Sequence, residues 1–337
     1  MTEKTVSPER DVYRRITDHI IAAIEAGAGD WKMPWHNDVA GIRPVNANTG
    51  KAYRGVNVIS LWSTAQEKGY AVPQWGTYKQ WGELGAQVRK GERSSPVVFW
   101  KFRDKDEGTE AEPEGVDAKG QDRPGRRLIL ARCYSVFNAA QVDGYTPPVV
   151  DRPPVAERID HAERFFAATG MQLAHGGNRA FYRPADDRVQ MPPFEAFPDR
   201  VGYYSTLAHE ATHWTGAKAR LDRELSGRFG TDAYAAEELV AELGAAFVCA
   251  DLELTNQPRP DHAAYVANWL KVLKADSRAI FTAAAKAQEA ADHLHGLQPI
   301  GPMPAPIPQP QAPATSADLA TELGRKPFKQ MLFTYDG

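Results

Sequence analysis

Apolar residues fall at helical spacing from the first dozen positions onward. Val12, Ile16, Ile20, Ala23 and Ile24 share one face, with Ser7 as a cap, Pro8 at the first helical position and Gly27 as the stop. The same periodicity predicts shorter helices over about 58–68 and 77–84, ended by Gly69 and Gly85. "WKMPWH" reads as an aromatic loop, and Asn48-Thr49-Gly50 has turn chemistry. In "AQVRKGERSSPVVFWKF" the pattern predicts a strand on each side of a Lys90-Gly91 turn. "RRLILARCYSVFN" predicts a further strand, paired with 97–103.

After the Pro-rich link "YTPPVVDRPP", Val155, Ile159, Ala162, Phe165 and Phe166 mark a helix over about 155–169 that ends at Gly170. Short strands follow at 171–175, 179–183 and 188–192, separated by turns at Gly176-Gly177 and Asp186-Asp187. Four helices are predicted over about 203–215, 232–250, 261–275 and 277–295, with Gly216 as the natural stop of the first. The pattern gives an α+β chain of two domains, each with its own core. A small α+β unit covers 1–147, a mainly helical unit 148–298, and a Pro-rich, extended tail 299–337.

Composition narrows the setting. The chain has 337 residues, 42% hydrophobic and 25% charged, with a net charge of −3. No apolar run is long enough to span a bilayer, and the N-terminus lacks the apolar core of a secretory signal. Cys133 and Cys249 are the only cysteines, which points to the cytoplasm and leaves histidine and carboxylate as metal donors. The charge is uneven. Residues 31–103 hold eleven Lys/Arg against four Asp/Glu, whereas 104–122 hold two against eight. The stretch 104–125 has almost no large apolar side chains and reads as a mobile excursion.

"YYSTLAHEATHWTG", residues 203–216, places His209 and His213 four apart on one helical face, with Glu210 beside them. Two imidazoles so spaced can bind one Zn²⁺, which lowers the pKa of water and polarises a carbonyl; Glu210 then serves as general base. A buried, hydrogen-bonded histidine pair is the competing reading. A catalytic zinc needs a third ligand, and "AYAAEELVAELGAAFVCADLEL" offers Glu238 and Glu242 on a face of small residues. We assign Glu238 as ligand and Glu242 as the group behind a ligating imidazole, with the inverse assignment and a histidine third ligand still open. Glu237 is expected to face water. "RVQMP", 188–192, is expected to lay a peptide beside the metal by edge pairing.

The basic first third also carries six of the eight tryptophans. Single-stranded nucleic acid is held by aromatic faces and by cations along the phosphates. The candidates are Trp31, Lys32, Trp35, Tyr53, Arg54, Trp75, Tyr78, Lys79, Trp81, Arg89 and Lys90. Trp62 and Trp100 sit in apolar patterns and read as core, and Tyr78 and Trp81 divide between core and surface.

"DVYRRITDHIIAAIEAG", "NANTGKAYRGVN" and "VVFW", followed in order by "HEATHWTG" and "YAAEELVAELGAAF", resemble the ArdC-type antirestriction proteins of plasmids, phages and related mobile elements, whose first module also occurs on conjugative primases. The likeness covers nearly all of 8–297; the acidic stretch and the tail fall outside it. It implies an N-terminal domain that binds single-stranded DNA and a C-terminal zincin-like metallopeptidase domain acting on DNA-bound proteins. It carries His209, Glu210 and His213 to metal and catalytic roles, and "EELVAE" to the remaining ligand. The alternative is a DNA-coating protein whose zinc site is structural or inactive. A zinc deaminase would need a Pro-Cys-x-x-Cys segment that the chain lacks.

Overall fold

In the first half, a four-stranded sheet is bracketed by helices whose apolar faces cover it. The computed structural model describes residues 12–27, 42–104, 126–148, 155–225, 231–254 and 262–299. The expectations for Ser7 and Pro8, the "WKMPWH" loop, nearly all of the acidic stretch, most of the Pro-rich link and the tail lie outside those residues. The elements run α1 (Val12–Gly27), β1 (Val45–Asn46), α2 (Val56–Lys68), β2 (Gln74–Thr77), α3 (Tyr78–Glu83), β3 (Gln87–Val88), β4 (Ser95–Asp104), β5 (Arg126–Asn138) and β6 (Val142–Asp143).

The sheet order is β1-β2-β5-β4, with β1 and β2 parallel and the other neighbours antiparallel. β5 pairs with β4 as its sequence suggests, Val97 opposite Tyr134. β3 does not pair with β4 across the Lys90-Gly91 turn; it joins β6 instead. The reason lies in Gln141, whose amide donates to Glu92 and to the Arg93 carbonyl, while the Arg89 N–H donates to the Gln141 carbonyl. These bonds hold the turn against the 139–143 segment.

The open edge of β4 is closed by side chains of α2. Asn57 both donates to the Val98 carbonyl at 2.8 Å and accepts from its N–H at 2.7 Å, and Ser60 donates to the Pro96 carbonyl. A paired edge is no template for aggregation. Gly69, at φ 68°, ends α2 where the chain must turn left-handed.

The second half comprises α4 (Val155–Ala168), β7 (Gln172–His175), β8 (Phe181–Arg183), β9 (Arg188–Met191), α5 (Arg200–Thr215), α6 (Asp232–Asp251), α7 (His262–Ala275) and α8 (Ala279–Gly296). Its sheet has the order β7-β9-β8, so β9 is the central strand. That corrects the expectation for 188–192, because a strand with neighbours on both sides has no edge to offer a peptide. Among the described residues β7 and β8 are both edge strands, each pairing with β9 alone.

The two domains do not keep separate cores, as their lengths suggested. One apolar cluster runs from Ile16 and Trp62 to Phe247 and Leu294. Trp62 and Phe247 lie 6.0 Å apart, and Tyr13 meets Phe281 at 4.7 Å. Arg43 crosses the same boundary, donating to both carboxylate oxygens of Asp251 at 2.7 and 3.0 Å and to Gln288 at 2.9 Å. A smaller cluster forms around Trp81, with Ala47, Val88 and Val142. Among the described residues no helix is long and apolar enough to cross a membrane.

Candidate metal centre and its cleft

α5 begins at Asp199, whose carboxylate accepts from the Gly202 N–H at 2.7 Å. α6 lies against it, buried along nearly its whole length. Gly244 sets how close they come: a Cβ there would stand 2.5 Å from Thr212 Cγ2. This near contact brings the glutamates of α6 to the histidines of α5. Gly216 ends α5 as expected, but in a right-handed conformation, with φ at −74°. Glycine is needed there for space, since a Cβ would lie 2.9 Å from Leu225 and 3.0 Å from the Arg223 guanidinium.

Nε2 of His209 and Nε2 of His213 each stand 3.5 Å from an oxygen of Glu238. One donor atom from each of these residues lies within 4.8 Å of the others. Tetrahedral coordination at about 2.0–2.1 Å separates neighbouring ligands by roughly 3.3 Å. Both nitrogens of His209 and Oε2 of Glu238 are buried without a hydrogen-bond partner, a costly state that a cation relieves. The donor set therefore fits a divalent metal.

The far nitrogens of the imidazoles face two other glutamates. Nδ1 of His213 donates to Glu237 at 3.2 Å, and Nδ1 of His209 stands 3.6 Å from Glu242. Glu237 thus does not face water: it is 9% exposed and also accepts from Arg223. Burial works against a charge on His213, but Glu237 and Glu238 outweigh it and push its pKa up to about 10. Burial likewise opposes the charges of Glu237 and Glu238. His213 and Arg223 for the first, and both histidines for the second, nevertheless hold them below the ordinary carboxylate range.

His209, Glu210, His213 and Glu238 line a cleft of about 790 Å³. Its other wall includes Phe181 and Tyr182 of β8, with Phe197, Glu224 and Tyr234. Tyr182 is fixed by donating to Asp187 at 2.9 Å, and Asp187 in turn accepts from Arg220, which lies over the Trp214 ring at 3.9 Å. His175 donates to or accepts from the Tyr203 hydroxyl at 2.8 Å, so it takes no part in the metal cage.

The nucleic-acid candidates divide by burial. Trp31, Lys32 and Trp35 lie outside the described residues. Tyr53, Trp75 and Trp81 are 5%, 1% and 0% exposed, which corrects their assignment: packed on both faces, they have none for a base. The Trp81 indole donates to the Phe137 carbonyl and lies so near Gly76 that a Cβ would come within 3.1 Å. Arg54 pairs with Asp292 of α8, and Arg89 with Glu92 and Asp143. Tyr78, Lys79 and Lys90 remain at the surface, Tyr78 58% exposed. Tyr134 and Arg132, exposed on β5, were missed. Tyr134 lies two residues from buried Val136, on the same face of the strand, with its ring against Phe99, so the alternation of β5 gives no sign of its exposure.

Residues 10–137 match the N-terminal domain of anti-restriction factor ArdC, and residues 160–286 match a zincin-like metallopeptidase. Over 302 residues the chain is 56% identical to the uncharacterized protein y4eC of Sinorhizobium fredii, covering 88% of this chain and 95% of that protein. It is 38% identical over 298 residues to the DNA primase TraC of Escherichia coli, covering 85% of this chain but 27% of the primase. Crystal structures of the antirestriction protein ArdC from the R388 plasmid are 42% identical. They align with TM-scores of 0.67 metal-free and 0.66 with Mn(II) bound, each over 85% of this chain and 97% and 98% of theirs.

Proposed function

This chain belongs to the ArdC family of antirestriction proteins, and from that premise we propose that it binds single-stranded DNA in the cytoplasm and hydrolyses peptide bonds of proteins associated with that DNA. The carrying observation is the cage of His209, His213 and Glu238, opening on a cleft that Glu210 also lines. Zn²⁺ is the ion we assign to it, supplying Lewis acidity that polarises a carbonyl and acidifies water.

The residues divide the remaining work. His209, His213 and Glu238 hold the ion. Glu210, directly after His209, takes the proton of the attacking water and returns it to the leaving amine. Glu242 orients His209 from Nδ1. β8 accepts the substrate as an added strand along its free edge, beside Phe181 and Tyr182. The donor set is also compatible with Mn²⁺, the ion in the R388 relative's structure. Single-stranded DNA is met by the first domain, extending to about residue 147, through Tyr78, Lys79, Lys90, Arg132 and Tyr134.

Glu210→Ala tests this reading. The variant is expected to lose cleavage of DNA-bound protein while keeping one equivalent of metal and wild-type affinity for single-stranded oligonucleotides. Cleavage retained in the variant would remove the peptidase; protection of DNA retained without cleavage would leave a coating protein with an inactive site.

A further inference from the structure

Among the described residues between α5 and α6, Arg223 lies inside the protein, 8% exposed. Its Nε and Nη2 donate to Glu237 at 3.0–3.3 Å. Nη1 donates to Thr215 Oγ1 at 2.9 Å and Nη2 to the Thr212 carbonyl at 2.6 Å. Thr212 and Thr215 belong to the last turn of α5, the turn that carries His213. Helix ends leave carbonyls without intrahelical partners, and a left-handed glycine usually helps to satisfy them. Here Gly216 stays right-handed, and the guanidinium occupies the space its missing side chain leaves.

We propose that Arg223 and Glu237 are positioning residues for the metal centre, acting through His213. A histidine that binds metal through Nε2 must keep its proton on Nδ1 and must not rotate. Glu237 accepts from that nitrogen at 3.2 Å and so fixes both tautomer and ring. A carboxylate buried this deeply keeps its charge and place only with a cation, and Arg223 supplies it with bonds from two nitrogens. Because the same guanidinium grips the carbonyl of Thr212, it ties ring, acceptor and helix end into one unit. Glu224 and Leu225, next in sequence, form part of the cleft wall, so the unit also fixes that wall relative to the metal ligands. The inference rests on reading the cage as a metal site, and it adds two residues that no ligand pattern contains.

The test measures affinity for Zn²⁺ and Mn²⁺ on the full-length protein by competition with a chromophoric chelator, alongside metal-free thermal unfolding. Glu237→Gln, nearly the same shape, is expected to weaken metal binding roughly 10- to 100-fold. The Arg223→Met, Glu237→Met double variant separates positioning from simple support, since exchanging a buried ion pair for apolar side chains often preserves stability. A positioning role leaves the double variant deficient in metal affinity at a near-wild-type unfolding temperature. Wild-type affinity in either variant would overturn the proposal. His213→Ala is the separate control for the cage: metal retained there would sink the site itself, whatever the other variants do.

Discussion

A proton on His213 in the metal-free protein is held from two sides, by Glu237 at Nδ1 and Glu238 at Nε2. With its folded pKa raised from 6.5 to about 10, it contributes stability that is complete below pH 6.5 and lost as pH rises through about 10. Glu237 and Glu238 are shifted downward from 4.5, so their contribution is present above that value and lost as pH falls. Metal-free unfolding should therefore be most resistant on the weakly acidic side of neutrality, as far as these groups decide it, and decline toward pH 10. A cation must displace the His213 proton, so metal affinity is expected to climb roughly tenfold per pH unit over the same alkaline interval. Affinity flat with pH would show that no proton leaves. The sequence makes His209, Glu210, His213 and Glu238 legible because helical spacing fixes which side chains share a face. Glu237 escapes that logic. Its surroundings are decided by Arg223, a residue of the connecting loop that no periodicity ties to it.

The close approach of α5 and α6 depends on a glycine that periodicity reads as neutral. Thr212 fills the space above Gly244, donating its hydroxyl to the Ala208 carbonyl at 2.8 Å. Gly244→Ala puts a methyl group into that side chain and pushes the helices apart, at a cost of about 1–3 kcal/mol. Metal affinity should fall as well, because the ligands come from both helices. Adding Thr212→Ala clears the obstruction, and the double variant should recover much of both losses, a coupling that a mutant cycle on unfolding and metal binding would read. Additive losses would mean that the helices are not limited by this contact. Element order is legible in the same partial way. Alternation locates the strands of the second sheet within a residue or two, yet nothing local states that the last of the three runs through the middle. The same gap hides the pairing of β3 with β6, which Gln141 imposes through tertiary hydrogen bonds.

Because the two domains share one apolar cluster, the half proposed to meet DNA and the cleft are built on a common support. Arg43 reinforces it with a partly buried ion pair to the end of α6, the helix that carries Glu238. Charge and aromatic content made the whole first third a nucleic-acid candidate, but composition does not say which rings are needed for the core. Burial removes Tyr53, Trp75 and Trp81 and, among the described residues, leaves Tyr78 and Tyr134 as the exposed large rings of that half. Their places are linked through the sheet: Val136 pairs with Thr77, next to Tyr78, and lies two residues from Tyr134. If bases stack there, Tyr134→Ala should weaken binding of a short single-stranded oligonucleotide by about 1–3 kcal/mol. Lys90→Ala should lower the slope of log affinity against log salt by about 0.7, the signature of one lost phosphate contact. Trp75→Phe provides the contrast, lowering unfolding temperature with little change in DNA affinity, since that ring supports the sheet from inside. Were Tyr134→Ala silent in a folded protein, the stacking surface would have to lie elsewhere in the domain, and the shared core would no longer fix its position relative to the cleft.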